Sequence, residues 1–453
     1  MKGYGNADQS LSMISMAYDM NPALPVYDAD GNYTFRNNLS SSTGVYGGNP
    51  VATARKADMQ NRQNRFTGNI YTDLKFLGDD RLVFRTQFGV DDIFSMDRMF
   101  LPNDLAVSVD GPGKGNVATF NTKTWVWEHT LTYKNTWGKH NLSAMVGQTA
   151  QKFTQTVFRL GVKNFEDNRL GYHDLSVGKD VWLNQTTDSE WAMLSYISRI
   201  HYSFDNRYLF TFTGRVDGSS NFASKQRVSS FWAVGVRWNV MNEKFMNRRI
   251  FDSFALKANI GTTGNSNFAL SQILNMYKYL TMYDGITGAE LMSLANPDLK
   301  WQTTLKRNIG LELGFLRNRI NLEFNYYSNT TDNNITRVDI LPSTGFSSYT
   351  ANQGDVSNKG FDFNLSVTPV RTKNWQFNFF VNGQHNRNKL TNLSEALKDY
   401  NKQIMEGQTT TDKTKIENVF LFEEGKSLTA IYAVPSAGID PGTGQEIFIT
   451  RDG

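Results

Sequence analysis

Cysteine is absent from this sequence of 453 residues. That excludes disulfides, thiolate metal sites and a cysteine nucleophile, and it suits an oxidising compartment without requiring one. Long apolar runs are also missing: no stretch reaches the ~18 consecutive apolar residues that a membrane-spanning helix needs. Charge excess is small, 47 Lys and Arg against 43 Asp and Glu, so no electrostatic footprint for nucleic acid is present. Histidine is scarce, with 5 in the chain and none at helical or hairpin ligand spacing, so no metal and no cofactor is expected. Met1-Lys2-Gly3 is not followed by the apolar core of a signal peptide. What is plentiful is aromatic: 13% of residues, within a hydrophobic total of 39%. That total fits a soluble protein and a membrane barrel alike, because half of every barrel strand faces water.

The pattern that decides between them runs from Leu305 to Leu393. Ile309, Leu311, Leu313 and Phe315 alternate with Asn308, Gly310, Glu312 and Gly314. Ile320, Leu322, Phe324 and Tyr326 alternate with Asn321, Glu323 and Asn325. Phe361, Phe363, Leu365 and Val367 alternate with Asp362, Asn364 and Ser366, and Trp375, Phe377, Phe379 and Val381 with Gln376, Asn378 and Asn382. Successive strand side chains point to opposite faces, so each stretch is a strand with one apolar and one polar face. Further strands are predicted at 66–78, 81–94, 122–134, 139–157, 190–204, 207–216, 230–240 and 254–263, with another candidate near 428–434. In the strand holding Trp125, Trp127, Leu131 and Tyr133, parity puts His129 on the apolar face; a tolerated interfacial imidazole and a bulge or register error are both open.

The connections sort into two kinds. Gly78-Asp79-Asp80, Thr136-Trp137-Gly138, Asp205-Asn206, Arg317-Asn318 and Thr372-Lys373 read as tight hairpin turns. Segments 95–121, 158–189, 217–229, 264–300, 335–355 and 390–427 read as long and irregular. Short and long alternate along the chain, which is how an outer-membrane barrel places short periplasmic turns and long extracellular loops. The predicted fold class is all-β: an antiparallel transmembrane β-barrel wall, a partial, open and curved sheet of about a dozen strands. Residues 1–65, rich in Asn, Ser, Gly and Pro, read as an extended extracellular loop region entering the wall near Phe66, and residues 66–453 as the wall itself.

Motifs for chemistry fail one by one. Gly111, Gly113 and Gly115 lack the strand-to-helix context of a dinucleotide loop. Gly425-Lys426-Ser427 ends like a phosphate loop, but Phe420 stands where its first glycine belongs. Asp28-Ala29-Asp30-Gly31 opens like a calcium loop, yet Leu39 occupies the place of the bidentate glutamate, so a plain turn is the better reading. Glu423 and Glu424 are adjacent and could not converge as an acid/base pair on a strand. No catalytic residues are expected, and the chain does not read as an enzyme.

Two residue sets remain. The inward, polar-face set comprises Arg85, Gln87, Arg199, His201, Glu312, Asn321, Glu323, Asn325, Asp362, Asn364, Gln376 and Asn378. It reads either as a hydrophilic lumen that a solute or plug contacts, or as a solvated face whose salt bridges stiffen the wall. The loop aromatics Tyr172, Trp182, Tyr277, Tyr279, Tyr283, Phe346 and Tyr349 could stack on sugars or grip peptide side chains. They could equally form an aromatic girdle or pack loop on loop.

Six ordered stretches resemble the SusC/RagA family of TonB-dependent outer-membrane transporters. They are Asn21-Pro-Ala-Leu-Pro-Val-Tyr-Asp-Ala-Asp-Gly31, Arg215-Val-Asp-Gly-Ser-Ser-Asn-Phe222, Ile260-Gly-Thr-Thr-Gly-Asn265, Asn296-Pro-Asp-Leu-Lys-Trp301, the run from Gly345 to Phe361, and Ala437-Gly-Ile-Asp-Pro-Gly-Thr-Gly444. Val216, Asn221 and Gln302 depart from residues common in the family. The resemblance implies a barrel of about 22 strands with a plug in its lumen, of which this chain is expected to be an internal piece lacking the plug, the N-terminal domain and the last strands. It also implies an outer-membrane location in a Gram-negative bacterium, in contact with outer-membrane lipid. Uptake of oligosaccharides or glycan fragments with a SusD-like surface lipoprotein, energised through the TonB complex, would follow; peptide uptake is the alternative within the family. A passive porin or adhesin barrel is the alternative from another class.

Overall fold

A computed structural model of the chain describes residues 17–18, 23–34, 49–78, 80–105, 113–246, 249–266, 276–283, 286–339, 345–346, 348–352, 354–393, 395, 397–399, 401–402, 421–430 and 436–449. Its elements are helix α1 (Pro50–Lys56) and strands β1 (Asp58–Phe76), β2 (Leu82–Leu101), β3 (Lys114–Trp137), β4 (His140–Phe165), β5 (Gly178–Phe204), β6 (Tyr208–Ser219), β7 (Val228–Trp238), β8 (Phe251–Asn265), β9 (Met276–Tyr283), β10 (Ile286–Ser293), β11 (Gln302–Phe315), β12 (Ile320–Asp332), β13 (Ile335–Asp339), β14 (Ser348–Asn352), β15 (Asp355–Arg371), β16 (Gln376–Asn392), β17 (Ser436–Ile439) and β18 (Glu446–Phe448).

Strands with one apolar face bury nothing alone, and pairing in register brings like faces together. Twelve of them form one sheet in the order β1-β2-β3-β4-β5-β6-β7-β8-β11-β12-β15-β16, while β9–β10, β13–β14 and β17–β18 are separate hairpins. The fold is therefore the mostly antiparallel, all-β one that the alternation required. Register follows parity: Leu311 pairs with Phe324 and Phe324 with Phe363, whereas Glu312 pairs with Glu323 and Glu323 with Asn364. Directly paired residues share a face. The apolar face is left bare, with Ile309 65%, Phe379 58% and Val381 52% exposed. His129 joins that face, as parity requires: its ring stacks on Phe84 at 6.0 Å.

The short connections are as tight as expected. Asp205 and Asn206 both take positive φ, 54° and 53°, as the central residues of a turn closed by the Arg207 N–H on the Phe204 carbonyl, in a three-residue connection between Phe204 and Tyr208. Several boundaries differ from the sequence reading. Within 1–65, Tyr27 bridges Tyr33, α1 occupies 50–56, and β1 starts at Asp58 rather than near Phe66. The segment 58–65, Asp-Met-Gln-Asn-Arg-Gln-Asn-Arg, is polar on both faces and so carries no alternation to read. Strand also extends into 95–121 and 158–189: β2 runs to Leu101, β3 starts at Lys114, β4 ends at Phe165 and β5 starts at Gly178. There burial of consecutive residues such as Met99, Phe100 and Leu101 erases the alternation. Likewise 264–300 holds the β9–β10 hairpin and 335–355 the β13–β14 hairpin. Residues 428–430 are not strand, and 431–434 lie outside the described residues.

The chain divides into two compact units, 1–71 with 87–127 and 151–191, and 72–86 with 128–150 and 192–453. In the first, Ala52, Met99, Leu101 and Leu105 make one core and Phe100, Val162 and Phe165 another. Asn49 organises its start. The amide oxygen of Asn49 caps α1 by accepting from the Val51 and Ala52 N–H groups, and its NH2 donates to the Val26 and Thr34 carbonyls, so all four of its bonds are made. In the second unit the buried clusters are Phe222, Phe231 and Trp301, and Val356, Leu390, Leu393 and Leu397.

Candidate functional site

The polar face of β7, β8, β11, β12 and β15 carries a continuous ionic ladder. Arg237 donates two hydrogen bonds to Glu312, at 3.0 and 2.7 Å. Lys257 reaches Glu312 at 3.2 Å and Glu323 at 2.5 Å, and Asn325 donates to Asp362 at 2.8 Å. Lys257 is on β8 and Glu323 on β12, with β11 between them. The reach is possible because Lys257 pairs with Gly310. A Cβ at position 310 would lie 2.3 Å from Lys257 Cε and 2.6 Å from Asn325 Oδ1. Glycine there is a notch through which the lysine stem passes; Arg237 and Lys257 neutralise Glu312 and Glu323, while Asp362 is met by the neutral Asn325 amide.

Beyond Asp362 the polar face changes character. Asn364 pairs with Asn382 and Asp362 with Gln384. Gln376, Asn378, Asn364, Asn382, Gln384 and Asn386 are exposed amides. A few are tied locally: Thr368 donates to Asn378 at 2.9 Å, Gln376 to the same oxygen at 3.1 Å, and Tyr327 to Asn386 at 3.2 Å across Gly360. Asn321 donates to the Asn318 carbonyl at 2.9 Å. Elsewhere in the second unit Arg85 makes a two-point contact with Asp73, His201 shares a hydrogen bond with Thr211 at 2.9 Å, and Arg199 is exposed. In the first unit Gln87 is half-buried. The sequence reading omitted Arg237, Lys257, Asn382, Gln384 and Asn386. The parity rule would have found them, since Arg237 sits between Val236 and Trp238 and Lys257 between Leu256 and Ala258.

At the long-connection end of the second unit, stretches far apart in sequence meet. Trp301 stacks on Phe222 at 4.6 Å and takes Phe231 edge-on at 5.6 Å, and its indole N–H donates to the Gln226 carbonyl at 3.1 Å. Gly264 lies beneath Phe231, where a Cβ would be 2.1 Å from Cζ. Arg215 pairs with Asp217 at 2.5 Å and donates to Ser195 at 2.9 Å, and Asn221 donates to the Ser266 carbonyl at 3.2 Å. Asn352 accepts from the Lys300 N–H at 2.8 Å and donates to the Lys300 carbonyl at 2.9 Å, while Asn296 donates to the Thr350 carbonyl at 3.0 Å. Three of the six stretches that carry the family resemblance, 215–222, 296–301 and 345–361, are thus clamped to one another, and Gly264 of a fourth packs on their shared cluster through Phe231. Their role here is to hold loops.

The loop aromatics are placed differently from one another. Tyr172 packs beside Phe100, Val162 and Phe165 with Arg98 5.7 Å above its ring. Trp182 lies over Gly161, where a Cβ would be 2.6 Å from its ring, and beneath Lys114 at 5.7 Å. Phe346 and Tyr349 are half-buried, and Tyr277 is 53% exposed. Tyr279 and Tyr283 belong to β9, their side chains lying outside the described residues. The 28–31 stretch is a turn: the Asp28 carboxylate accepts from the Asp30 and Asn32 N–H groups, with Gly31 at φ +82°. Gly425-Lys426-Ser427 pairs its backbone with Leu390. Gly111 lies outside the described residues, while Gly115 makes room for Leu175 and Phe165. Among the described residues no grouping of three or more His, Asp or Glu could hold a metal ion.

At the short-turn end, Glu243 in the β7–β8 connection accepts from the Tyr208 hydroxyl at 2.6 Å and the Trp238 indole at 3.1 Å, with Arg207 at 3.4 Å. The Tyr208 and Trp238 bonds, helped by Arg207 and opposed by partial burial, hold its carboxyl below the usual glutamate range. A depressed folded-state pKa contributes stability that is present above the unfolded value and lost as pH falls through the folded one. Acid unfolding of the full-length protein should therefore begin at higher pH in Glu243→Gln, and the pH dependence below the glutamate range should flatten. Identical acid-titration curves for variant and wild type would remove Glu243 from this role.

Comparison with known proteins gives the family. The model described as TonB dependent receptor-like, beta-barrel matches residues 7–417. TonB-dependent receptor P3 of Formosa agariphila is 29% identical over 401 residues, 87% of this chain and 39% of that protein. TonB-dependent receptor SusC of Bacteroides thetaiotaomicron is 27% identical over 428 residues, 87% of this chain and 41% of that protein. The structure titled RagAB peptide transporter has the same fold, with a TM-score of 0.78 at 24% identity over 93% of this chain and 45% of that one. The chain thus spans about two-fifths of the length of the curated relatives it matches. Barrels of this family are outer-membrane proteins, crossing with strands, and no helix among the described residues is long and apolar enough to cross. With the match running through nearly all of the sheet, this chain belongs to the TonB dependent receptor-like, beta-barrel family.

Proposed function

We propose that the protein carrying this chain is a TonB-dependent importer of the SusC/RagA type, taking up oligosaccharides or glycan fragments with a SusD-like surface lipoprotein. The residues ahead of β1 serve as an extracellular loop region, the chain from Asp58 onward supplies barrel wall around a plug, and the TonB complex supplies the energy. The names of the relatives, SusC and the RagAB peptide importer, support the class and leave glycan and peptide both in play. The observation that carries the glycan reading is the polar face. The charges of Arg237, Lys257, Glu312 and Glu323 are spent on one another, and the adjoining amides from Asn364 to Asn386 are exposed and uncharged. Amides offer donors and acceptors in equal measure, which suits hydroxyl-rich neutral solutes. Among the candidate loop aromatics whose side chains are described, Tyr277 is the most accessible for stacking on a sugar ring; Tyr172, Trp182, Phe346 and Tyr349 would act through loops they help to hold.

The test is calorimetric titration of the full-length protein with neutral oligosaccharides and with oligopeptides. Oligosaccharide binding is expected, weakened about fivefold to tenfold by Asn382→Ala together with Gln384→Ala, on the scale of one or two lost hydrogen bonds. Peptide binding without oligosaccharide binding would transfer the assignment to the peptide reading. Co-purification of a surface lipoprotein with the full-length protein tests the partner.

A further inference from the structure

In a single row the outward faces of β11, β15 and β16 change from apolar to basic and that of β12 becomes polar, while β8 stays apolar at Ile260. Paired across the register, the last apolar row toward the long connections is Ala258, Ile309, Tyr326, Phe361 and His385. The next row reads Ile260, Arg307, Ser328, Lys359 and Arg387, with Lys389 one row beyond on β16. Arg307, Lys359 and Arg387 are exposed, and among the described residues no carboxylate is paired with them. On β15 the next outward carboxylate, Asp355, stands beyond Ser357. Ile309, Tyr326 and Phe361 are 65%, 48% and 38% exposed, an apolar surface that only lipid would cover in a membrane wall. The basic row therefore stands where that lipid ends, at the level of headgroups.

A second feature lies directly under Arg307. The small Ala258 sits between Val236 and Ile309 and leaves a concavity of about 370 Å³ on the outward face. Val234, Ile260 and Tyr326 complete its apolar lining, and Arg307 and Ser328 close the end toward the basic row. An apolar trough capped by a guanidinium, with two more cations alongside, is complementary to an amphiphile with a hydrocarbon chain and a phosphate.

We propose that Arg307, Lys359 and Arg387, spread along about 14 Å of one row, bind the phosphates of an anionic lipid in the leaflet on the long-loop side, whose acyl chain lies in the trough over Ala258. Guanidinium forks match phosphate oxygens in two-point contacts, and each cation near an anionic membrane surface strengthens binding about fivefold. Three together are worth about a hundredfold. The site is on the face opposite the ionic ladder and does not depend on what the protein imports.

Native mass spectrometry of the full-length protein in mild detergent tests this, with bisphosphorylated lipid A, its dephosphorylated form and inorganic phosphate as probes. Wild type is expected to bind phosphorylated lipid A at least about tenfold more tightly than the dephosphorylated form, on the scale of the charges removed. Inorganic phosphate should not displace it. The triple variant Arg307→Gln, Lys359→Gln, Arg387→Gln should bind about 100-fold more weakly. Ala258→Phe, which fills the trough and keeps the cations, should weaken binding too. Lys306→Gln, one residue from Arg307 but on the opposite face, should change nothing. Equal wild-type affinity for the two lipid forms, displacement by inorganic phosphate, or an equal loss in Lys306→Gln would each overturn the proposal.

Discussion

Gly310→Leu is expected to destabilise the wall by about 2–3 kcal/mol, the usual scale for overpacking. The added Cβ alone would lie 2.3 Å from Lys257 Cε, so the lysine stem must leave its notch. Glu312 keeps its two bonds to Arg237, while Glu323 keeps only a 3.5 Å contact from Asn325. The steric term dominates, because the Lys257, Glu312 and Glu323 side chains are 25%, 31% and 41% exposed and water screens what is lost. Lys257→Met, which keeps the stem and removes the charge, should accordingly cost less, roughly 1 kcal/mol. The double variant Gly310→Leu, Lys257→Ala should recover part of the loss, since the lysine stem is then gone and only Asn325 Oδ1, 2.6 Å from the added Cβ, still crowds the notch. Urea unfolding of the full-length protein in lipid vesicles, followed by tryptophan fluorescence, measures all three. If Gly310→Leu costs the same with and without the lysine, the notch is not the cause.

The second large effect is at Trp301. Trp301→Ala should cost about 3–5 kcal/mol locally, as truncation of a buried aromatic does. Phe222 is fully buried against this ring, and Trp301 itself is only 7% exposed. Trp301→Phe keeps the stack and loses the indole bond to the Gln226 carbonyl, for about 1 kcal/mol. The cluster ties loops rather than the strand ladder, so the loss should appear as faster amide exchange around 219–226 and 296–301 while the β11–β12 and β12–β15 ladders keep their protection. Unchanged exchange in those loops would show that the stack does not hold them. Faster exchange throughout the ladders would make it part of the wall's stability instead.

Much of the wall was legible in the chain because parity is a property of each strand alone. The alternation from Ile309 to Phe315 and from Phe361 to Val367 states which side chains share a face before any partner is known. Turn residues did the same for Asp205-Asn206 and Arg317-Asn318, since positive φ restricts what can stand there. Residues 58–65 and the far ends of β2 to β5 were not legible. They are strands by hydrogen bonding without a period of two: 58–65 is polar but for Met59, while at the far end of β2 the consecutive Met99, Phe100 and Leu101 are all buried. The loop aromatics illustrate a different limit: nothing local distinguishes Tyr172, packed under Arg98, from Tyr277, which is exposed.

By itself, then, the sequence determined the fold class, the identity of the two faces and the alternation of short with long connections, all consequences of local backbone geometry and side-chain polarity. Register was decided only in the tertiary structure, and register is what creates neighbours. It sets Lys257 opposite Gly310, brings Trp301 onto Phe222, and lines up Arg307, Lys359 and Arg387 from three strands in one row. Such contacts depend on the summed pairing of whole strands, which no single stretch of the chain encodes.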